Sequence, residues 1–407
     1  MKKWLYFVVL ALLASSCVGD KTSGKDSIET ITIDVDKAVR AFDISELVDS
    51  TDFRIVPLET SQECVLSSKP GKFSYLRDRI YVLDKMSKGL YIFNVSDDSL
   101  YSKIQSVGQG PEEYVEITDM FVSDNNIFIY DQFGRKILIY DADGNYQSQI
   151  NTRDIGVRGQ TVFYSKGRIY IMHKSHSFKD DPGYFIYSVN KDGGDLKQFV
   201  HRIPERGMKV QHTLRCDYAF SGDSLMVMLT GSDTVYCVSG DEITPRYVLD
   251  FGDKKIPEKS RNMTFAEQEA SGFTDLKYIR GANNIFCIGD FLVFDFMYGQ
   301  VTPVTREEMQ KQGFIPPTNK YYALYNMKTG ETIVSNGIRI SSFGMHNIGY
   351  TIVNGRIINY VDPYYATMGG YYEPKTDNQA YKERHKEVYS KLKSDDNPVV
   401  FVYKLNQ

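Results

Sequence analysis

Ile80-Tyr-Val-Leu-Asp84, entered through the polar turn Arg77-Asp78-Arg79 from an earlier apolar run and followed by a third, Leu90-Tyr-Ile-Phe93, decides the fold because the chain repeats it. Equivalent runs are Ile127-Phe-Ile-Tyr-Asp131, Ile169-Tyr-Ile-Met-His173, Leu225-Met-Val-Met-Leu229, Leu292-Val-Phe-Asp-Phe296 and Ile357-Ile-Asn-Tyr-Val361. They recur at intervals of roughly 40 to 70 residues, the scale on which repeat architectures stack one supersecondary unit on the next. Short β-branched and aromatic runs on either side of a polar turn form β-hairpins.

A third run follows each of these: Leu90–Phe93, Ile137–Tyr140, Tyr184–Tyr187, Thr234–Cys237, Tyr322–Tyr325 and Val400–Tyr403. In five units a second turn and a fourth strand come next, so the unit is a four-stranded meander. Six such meanders predict an all-β fold, a six-bladed β-propeller. A solenoid is the competing repeat fold. The ring is favoured because the sixth unit has no fourth strand of its own, while the upstream segments Glu29–Val35 and Phe53–Leu58 could supply one and bring the two ends of the chain into one sheet.

Outside the repeats, residues 1–17 have the pattern of an export signal: Lys2 and Lys3, an apolar run from Trp4 to Leu13, then Ala14-Ser15-Ser16-Cys17. The run is too short to span a bilayer comfortably. A cysteine directly after small residues resembles a bacterial lipobox, in which Cys17 carries the lipid and anchors the chain to a membrane. Residues 18–28 are small, polar and charged, as a flexible tether would be, and 29–407 are left for the propeller. The net charge of −4 lacks the basic field that phosphate backbones attract, so nucleic acid is not an expected partner. Of the other cysteines, Cys216, Cys237 and Cys287 sit in apolar runs as small buried hydrophobes do, and no disulfide framework is expected.

The stretches Phe53-Arg-Ile-Val-Pro-Leu-Glu-Thr60, Arg79-Ile-Tyr-Val-Leu-Asp-Lys85, Val107-Gly-Gln-Gly-Pro-Glu-Glu-Tyr114 and Ile137-Leu-Ile-Tyr-Asp-Ala-Asp-Gly-Asn145 resemble the six-bladed propeller lipoproteins of Bacteroides-type bacteria. Those are themselves similar to TolB-like and NHL-repeat propellers. The resemblance covers the first two units and implies an outer-membrane or other cell-envelope location. It brings no catalytic residues with it.

Few motifs carry chemistry. Asp141-Ala-Asp-Gly-Asn145 has the alternating oxygens of a calcium loop, but Ser96-Asp97-Asp98, Lys191-Asp192-Gly193, Ser239-Gly240-Asp241 and Lys328-Thr329-Gly330 occupy the same place in other units, which marks it as a turn. His173-Lys-Ser-His176 offers two imidazoles without a third ligand. There is no Gly-rich phosphate loop, G-x-S-x-G elbow or spaced Cys pair, and neither a cofactor nor a metal is expected. The single tryptophan, Trp4, leaves with the signal, which disfavours WD-type and sialidase-type propellers.

Function is therefore sought in the loops. Asp253–Asn283, Met297–Lys320 and Asp362–Pro398 all emerge where strand two meets strand three or where one blade hands over to the next, which in an up-and-down meander is one face. Helix-forming composition at Thr264–Ala270, Thr305–Gln312 and Gln379–Lys393 predicts a small helical cap there. The cap carries Tyr298, Tyr364, Tyr365, Tyr371 and Tyr372, suited to protein or glycan contact or to packing onto the blades. Glu112, Glu113 and Tyr114 lie in a Gly-Pro turn that is either structural or faces a ligand. Arg158, Arg215, Arg280 and His346 each precede a repeat run by about the same distance and are expected to meet at the channel mouth. There they would hold an anionic ligand, unless acids such as Glu116 or Asp119 neutralise them.

The sequence thus points to an exported, lipid-anchored propeller that binds a protein, peptide or glycan, an anionic one included, without catalysis. A lyase- or lactonase-type active site at the channel mouth is the alternative, and a purely structural envelope subunit a third reading. Replacing Cys17 with Ala is expected to abolish incorporation of radiolabelled palmitate and to move the chain from the membrane to the soluble fraction; a variant that still labels and sediments would refute the anchor.

Overall fold

The computed structural model describes residues 28–173, 183–201, 218–222, 224–229, 233–239, 242–263, 265–273, 277–299, 319–344, 351–368 and 373–406. The signal, Cys17 and most of the tether lie outside these residues. So do Arg215, Cys216, Thr305–Gln312, His346, His176, Tyr371 and Tyr372.

Six antiparallel sheets form the predicted propeller. Blade one comprises Lys72–Leu76, Arg79–Asp84, Gly89–Asn94 and Leu100–Ile104; blade two, Asp119–Val122, Asn126–Asp131, Lys136–Asp141 and Tyr146–Asn151. Blade three comprises Thr161–Ser165, Arg168–Met172, Tyr184–Asn190 and Lys197–His201; blade four, Tyr218–Ser221, Ser224–Met228, Thr234–Ser239 and Glu242–Asp250. Blade five comprises Asn283–Ile288, Phe291–Met297, Lys320–Asn326 and Thr332–Ser335. Blade six joins Thr351–Val353, Arg356–Val361 and Val399–Leu405 to Val48–Pro57. First strands pack on first strands around the axis, including blade six on blade one.

The apolar runs follow from this arrangement. A middle strand is covered by a neighbouring blade on each face, so Ile80, Tyr81, Val82 and Leu83 are all buried without any polar alternation. Ile80 and Val82 pack toward blade six, with Val400 and Val402, whereas Tyr81 and Leu83 pack toward blade two, with Ile129 and Leu138. Similar cores fill the spaces between blades two and three, three and four, four and five, and five and six. Outer strands such as Tyr146–Asn151 regain exposed positions.

Closure occurs on one of the two proposed segments. Val48–Pro57 pairs antiparallel with Val399–Leu405, setting Ile55 opposite Phe401 and Phe53 opposite Tyr403. Glu29–Thr32 does not share that sheet, contrary to the sequence expectation. It adds a parallel fifth strand to blade four, Glu29 opposite Tyr247 and Thr32 opposite Asp250. The reason is burial: Ile31, Ile33 and Val35 enter the core between blades four and five. The intervening chain bridges at Val39 to Ser335 and pairs Phe42–Asp43 with Ile338–Arg339 of the loop after blade five. Residues 29–57 therefore form a strap across three blades.

Helices Phe265–Ala270, Pro363–Met368 and Gln379–Lys391 make a cap-like element outside the blades. The longest starts at Asn378, whose side chain accepts from the Tyr381 amide at 3.0 Å. It leans on the outermost strand of blade six: Arg384 donates to the Ile55 carbonyl at 3.1 Å, and Asn378 donates to that of Ser50 at 2.7 Å. Both bonds satisfy the open edge of the sheet. Tyr381, Phe343, Phe53 and Tyr403 form an aromatic knot beneath it.

Phe401→Ala, at the closing seam, is expected to lower the free energy of unfolding by about 3–5 kcal/mol. Met86→Ala, at an exposed turn, should change it by less than about 0.5 kcal/mol in the same urea titration. Burial in the longest helix pushes His385 down to about 4. An unfolded histidine takes up its proton near 6.5, so stability should fall as pH drops from about 6.5 to about 4 and level off below. His385→Phe should flatten that part of the melting-temperature profile, and an unchanged profile would refute the role of His385.

Candidate functional site

The antiparallel order of each blade sends the loop between strands two and three and the link to the next blade out of one face, here the connection face. The two hairpin turns of each blade leave by the opposite face. Large apolar side chains are exposed at several tips of the connection face: Met86 (81 %), Phe133 (60 %) and Tyr365 (65 %), with Tyr364 and Met368 beside the last.

Its most distinctive chemistry lies between blades two and three. Gln132, Phe133 and Arg135 come from the loop between strands two and three of blade two; Arg153 and Arg158 come from the link to blade three. Together they line an open hollow of about 570 Å³. The hairpin register, Lys136 opposite Asn151, sets Arg135 against the start of the link. Arg135 Nη2 donates to the carbonyls of Val157 (3.2 Å) and Thr152 (3.4 Å), and the Thr152 amide donates to the Arg135 carbonyl at 2.8 Å. The link folds back on itself, with the Val157 amide on the Thr152 carbonyl at 2.9 Å. After Arg158 it is pinned by the Gly159 amide on the Tyr130 hydroxyl, also 2.9 Å. Gly159 has to be glycine, since a Cβ there would lie 2.5 Å from Ile171 Cγ2 and 2.9 Å from the Met172 carbonyl oxygen.

The electrostatics are those of crowded like charges. Burial lowers the Arg135 pKa, and the guanidinium groups of Arg158 and Arg153 lower it further. Its Nε is buried without an acceptor. Among the described residues, none of these three arginines is in an ion pair. Of the two acids named as neutralisers, Glu116 and Asp119, Asp119 is engaged elsewhere: it accepts from Lys72 Nζ at 2.8 Å and from the Val162 amide at 3.0 Å. Lys72 also donates to the Met120 carbonyl and reaches the Tyr218 hydroxyl, so blades one, two and four meet over the axis.

The other predicted site residues that are described do not gather into one site. Arg280 donates to the Phe273 carbonyl at 2.9 Å, and no described contact or shared hollow joins it to Arg158. Arg215 and His346 lie outside the described residues. Tyr298 is half-buried against the core between blades four and five and near Tyr321, so it packs the cap onto the blades. Tyr364 and Tyr365 stand edge to face beside Asp362, Asp395 and Asp396 around a hollow of about 360 Å³. Tyr114 is fully buried, its hydroxyl 2.7 Å from the Lys88 carbonyl and 3.0 Å from that of Ile104. Glu113 accepts from the Gly110 amide at 2.8 Å and closes the Gly-Pro turn, and both Glu112 and Glu113 are exposed.

The turn reading of Asp141–Asn145 holds. Asp141 accepts from the amides of Asp143 and Asn145, and Asp143 is paired with Arg79 at 2.6 Å. Gly144, Gly193 and Gly330 have positive φ, as the equivalent turns require. Arg135 and Arg153 were not singled out in the sequence. The signal that finds them is the hairpin register, since Arg135 directly precedes the strand whose partner leads into Arg153.

The family model described as "Domain of unknown function (DUF4934)" matches residues 30–404. A search of curated proteins finds no match. Among solved structures, a Bacteroides fragilis protein described as exported superposes with a TM-score of 0.65 at 16 % identity, over 93 % of this chain and 100 % of that one. A member of the duf4221 family from Bacteroides vulgatus gives 0.47 at 12 % identity, over 88 % and 97 %. Virginiamycin B lyase from Staphylococcus aureus gives 0.39 at 11 % identity, over 70 % and 73 %. The first of these likenesses speaks to the fold. The chain belongs to the DUF4934 family, and its fold is a six-bladed β-propeller.

Proposed function

We propose that this protein is a lipid-anchored propeller of the cell envelope that binds a protein, peptide or glycan ligand on its connection face and performs no catalysis. The observation that carries the reading is the group of Arg135, Arg153 and Arg158, none ion-paired among the described residues, beside the exposed ring of Phe133. Unneutralised charge held in a fixed loop costs stability, and a rigid scaffold presenting such loops is where binding residues concentrate. Apolar tips at Met86, Tyr364 and Tyr365 extend the same face and suit a partner larger than a single ion. The lipobox at Cys17 supports the anchor, and the tether after it would let the face reach a partner near the membrane.

A photoreactive phenylalanine analogue tests this in intact cells, placed at Phe133 or Met86 on the connection face and at Leu196 on the hairpin face. One discrete adduct is expected from Phe133 and Met86 and none from Leu196, with mass spectrometry separating protein from glycan. Adducts from Leu196 alone, equal adducts from both faces, or none from the connection face would overturn the reading.

A further inference from the structure

We infer that the hollow between blades two and three is a binding site for a phosphate group, held by Arg135, Arg153 and Arg158. This rests on the binding role proposed above and names the chemistry of one of its contacts.

The geometry is that of a built site. Arg135 is half-buried and fixed by two main-chain carbonyls, while Arg158 is half-buried next to the pinned Gly159; Arg153 stands exposed at the rim. A volume of about 570 Å³ lies within the range of small-molecule sites. Three guanidinium groups around one space repel one another, and the buried Arg135 Nε still lacks an acceptor. A single oxyanion in the hollow removes the repulsion, because a guanidinium presents a planar fork matched to paired oxygens.

Charge count favours phosphate over a lone carboxylate. A phosphate monoester carries about −1.5 to −2 charges and three acceptor oxygens near neutral pH. A carboxylate carries one charge on two oxygens, which leaves part of the repulsion in place. Asp131, at the head of the same loop, is turned to main-chain donors: it accepts from the amides of Val115, Phe133 and Gly134. Phe133 and Gln132 form a mixed wall beside the arginines and would meet whatever carries the phosphate ester. A free phosphate and one esterified to a larger molecule share the same contacts here.

Calorimetric titration of the full-length protein in detergent, at low salt, with inorganic phosphate, glycerol phosphate and acetate as separate probes, tests the site. Both phosphates are expected to bind, acetate at least about tenfold more weakly, and Arg153→Ala and Arg158→Ala each to weaken phosphate by about tenfold or more. Arg153 is exposed, so its variant should melt with the native protein. Arg135→Lys keeps a charge but loses the fork and should also weaken binding. Tighter binding of glycerol phosphate, lost in Phe133→Ala, assigns the site to an ester; equal binding of the two phosphates assigns it to the free ion, and both results support a phosphate site. Phosphate affinity indifferent to Arg153→Ala and Arg158→Ala, acetate binding as tight as phosphate, or no phosphate binding would overturn it. If adducts from Phe133 persist in cells while phosphate fails to bind, this inference falls and the binding role stands; phosphate bound without adducts gives the reverse.

Discussion

Everything in this molecule depends on each sheet having both faces covered by other sheets. A propeller blade has no solvent face along its middle strands, so consecutive side chains on one strand belong to different cores. Ile80 and Val82 serve the interface with blade six, Tyr81 and Leu83 that with blade two. No blade can complete its burial alone. The arrangement is stable only when the last interface is made, and Val48–Pro57 against Val399–Leu405 makes it. The strap of residues 29–57 adds to this by tying blades four and five to the closing sheet.

That constraint explains what could be read from the sequence. Burial on both faces writes itself as unbroken apolar runs, and a shared architecture repeats them, so blade number and strand order were legible even in blades four to six, where the resemblance had faded. Phe53–Leu58 was recognisable as a closing strand because Ile55 and Val56 form a run like the others. Glu29–Val35 has the alternation of a strand too, but which sheet it joins is decided by where Ile31, Ile33 and Val35 find an unfilled core, a three-dimensional fact. Parallel addition to an outer edge leaves no hairpin turn to announce it.

The site was legible only in part, for a related reason. Counting back from the repeats located Arg158, because its position is tied to the first strand of blade three. Arg135 and Arg153 are tied to each other instead, through a hairpin register that becomes visible once Lys136 is set opposite Asn151. Tyr114 stands in a loop of glycines and acids and looks exposed in sequence, yet it is buried, its hydroxyl directed inward to the main-chain carbonyls of Lys88 and Ile104. Lys72 shows the opposite case: a lysine opening an apolar strand becomes the cation at the axis because Asp119 of the next blade supplies its partner.

The contrast between these cations is what gives the connection face its character. Lys72, Arg79 and Arg168 sit in the framework of the blades, and each lies within 3 Å of a carboxylate. A structural role is enough to account for them. Arg135, Arg153 and Arg158 have the same fixed backbone and a comparable degree of burial at two of the three positions, but no carboxylate partner among the described residues. A fold that pairs these framework charges has the means to neutralise the others as well, although the buried Lys136 next to Arg135 is also held by a main-chain carbonyl, that of Gly110. Holding three guanidinium groups together in a pinned loop costs stability unless something outside the chain completes the pairing, and the wedge cores on either side of blades two and three supply the rigidity that lets the cost be carried.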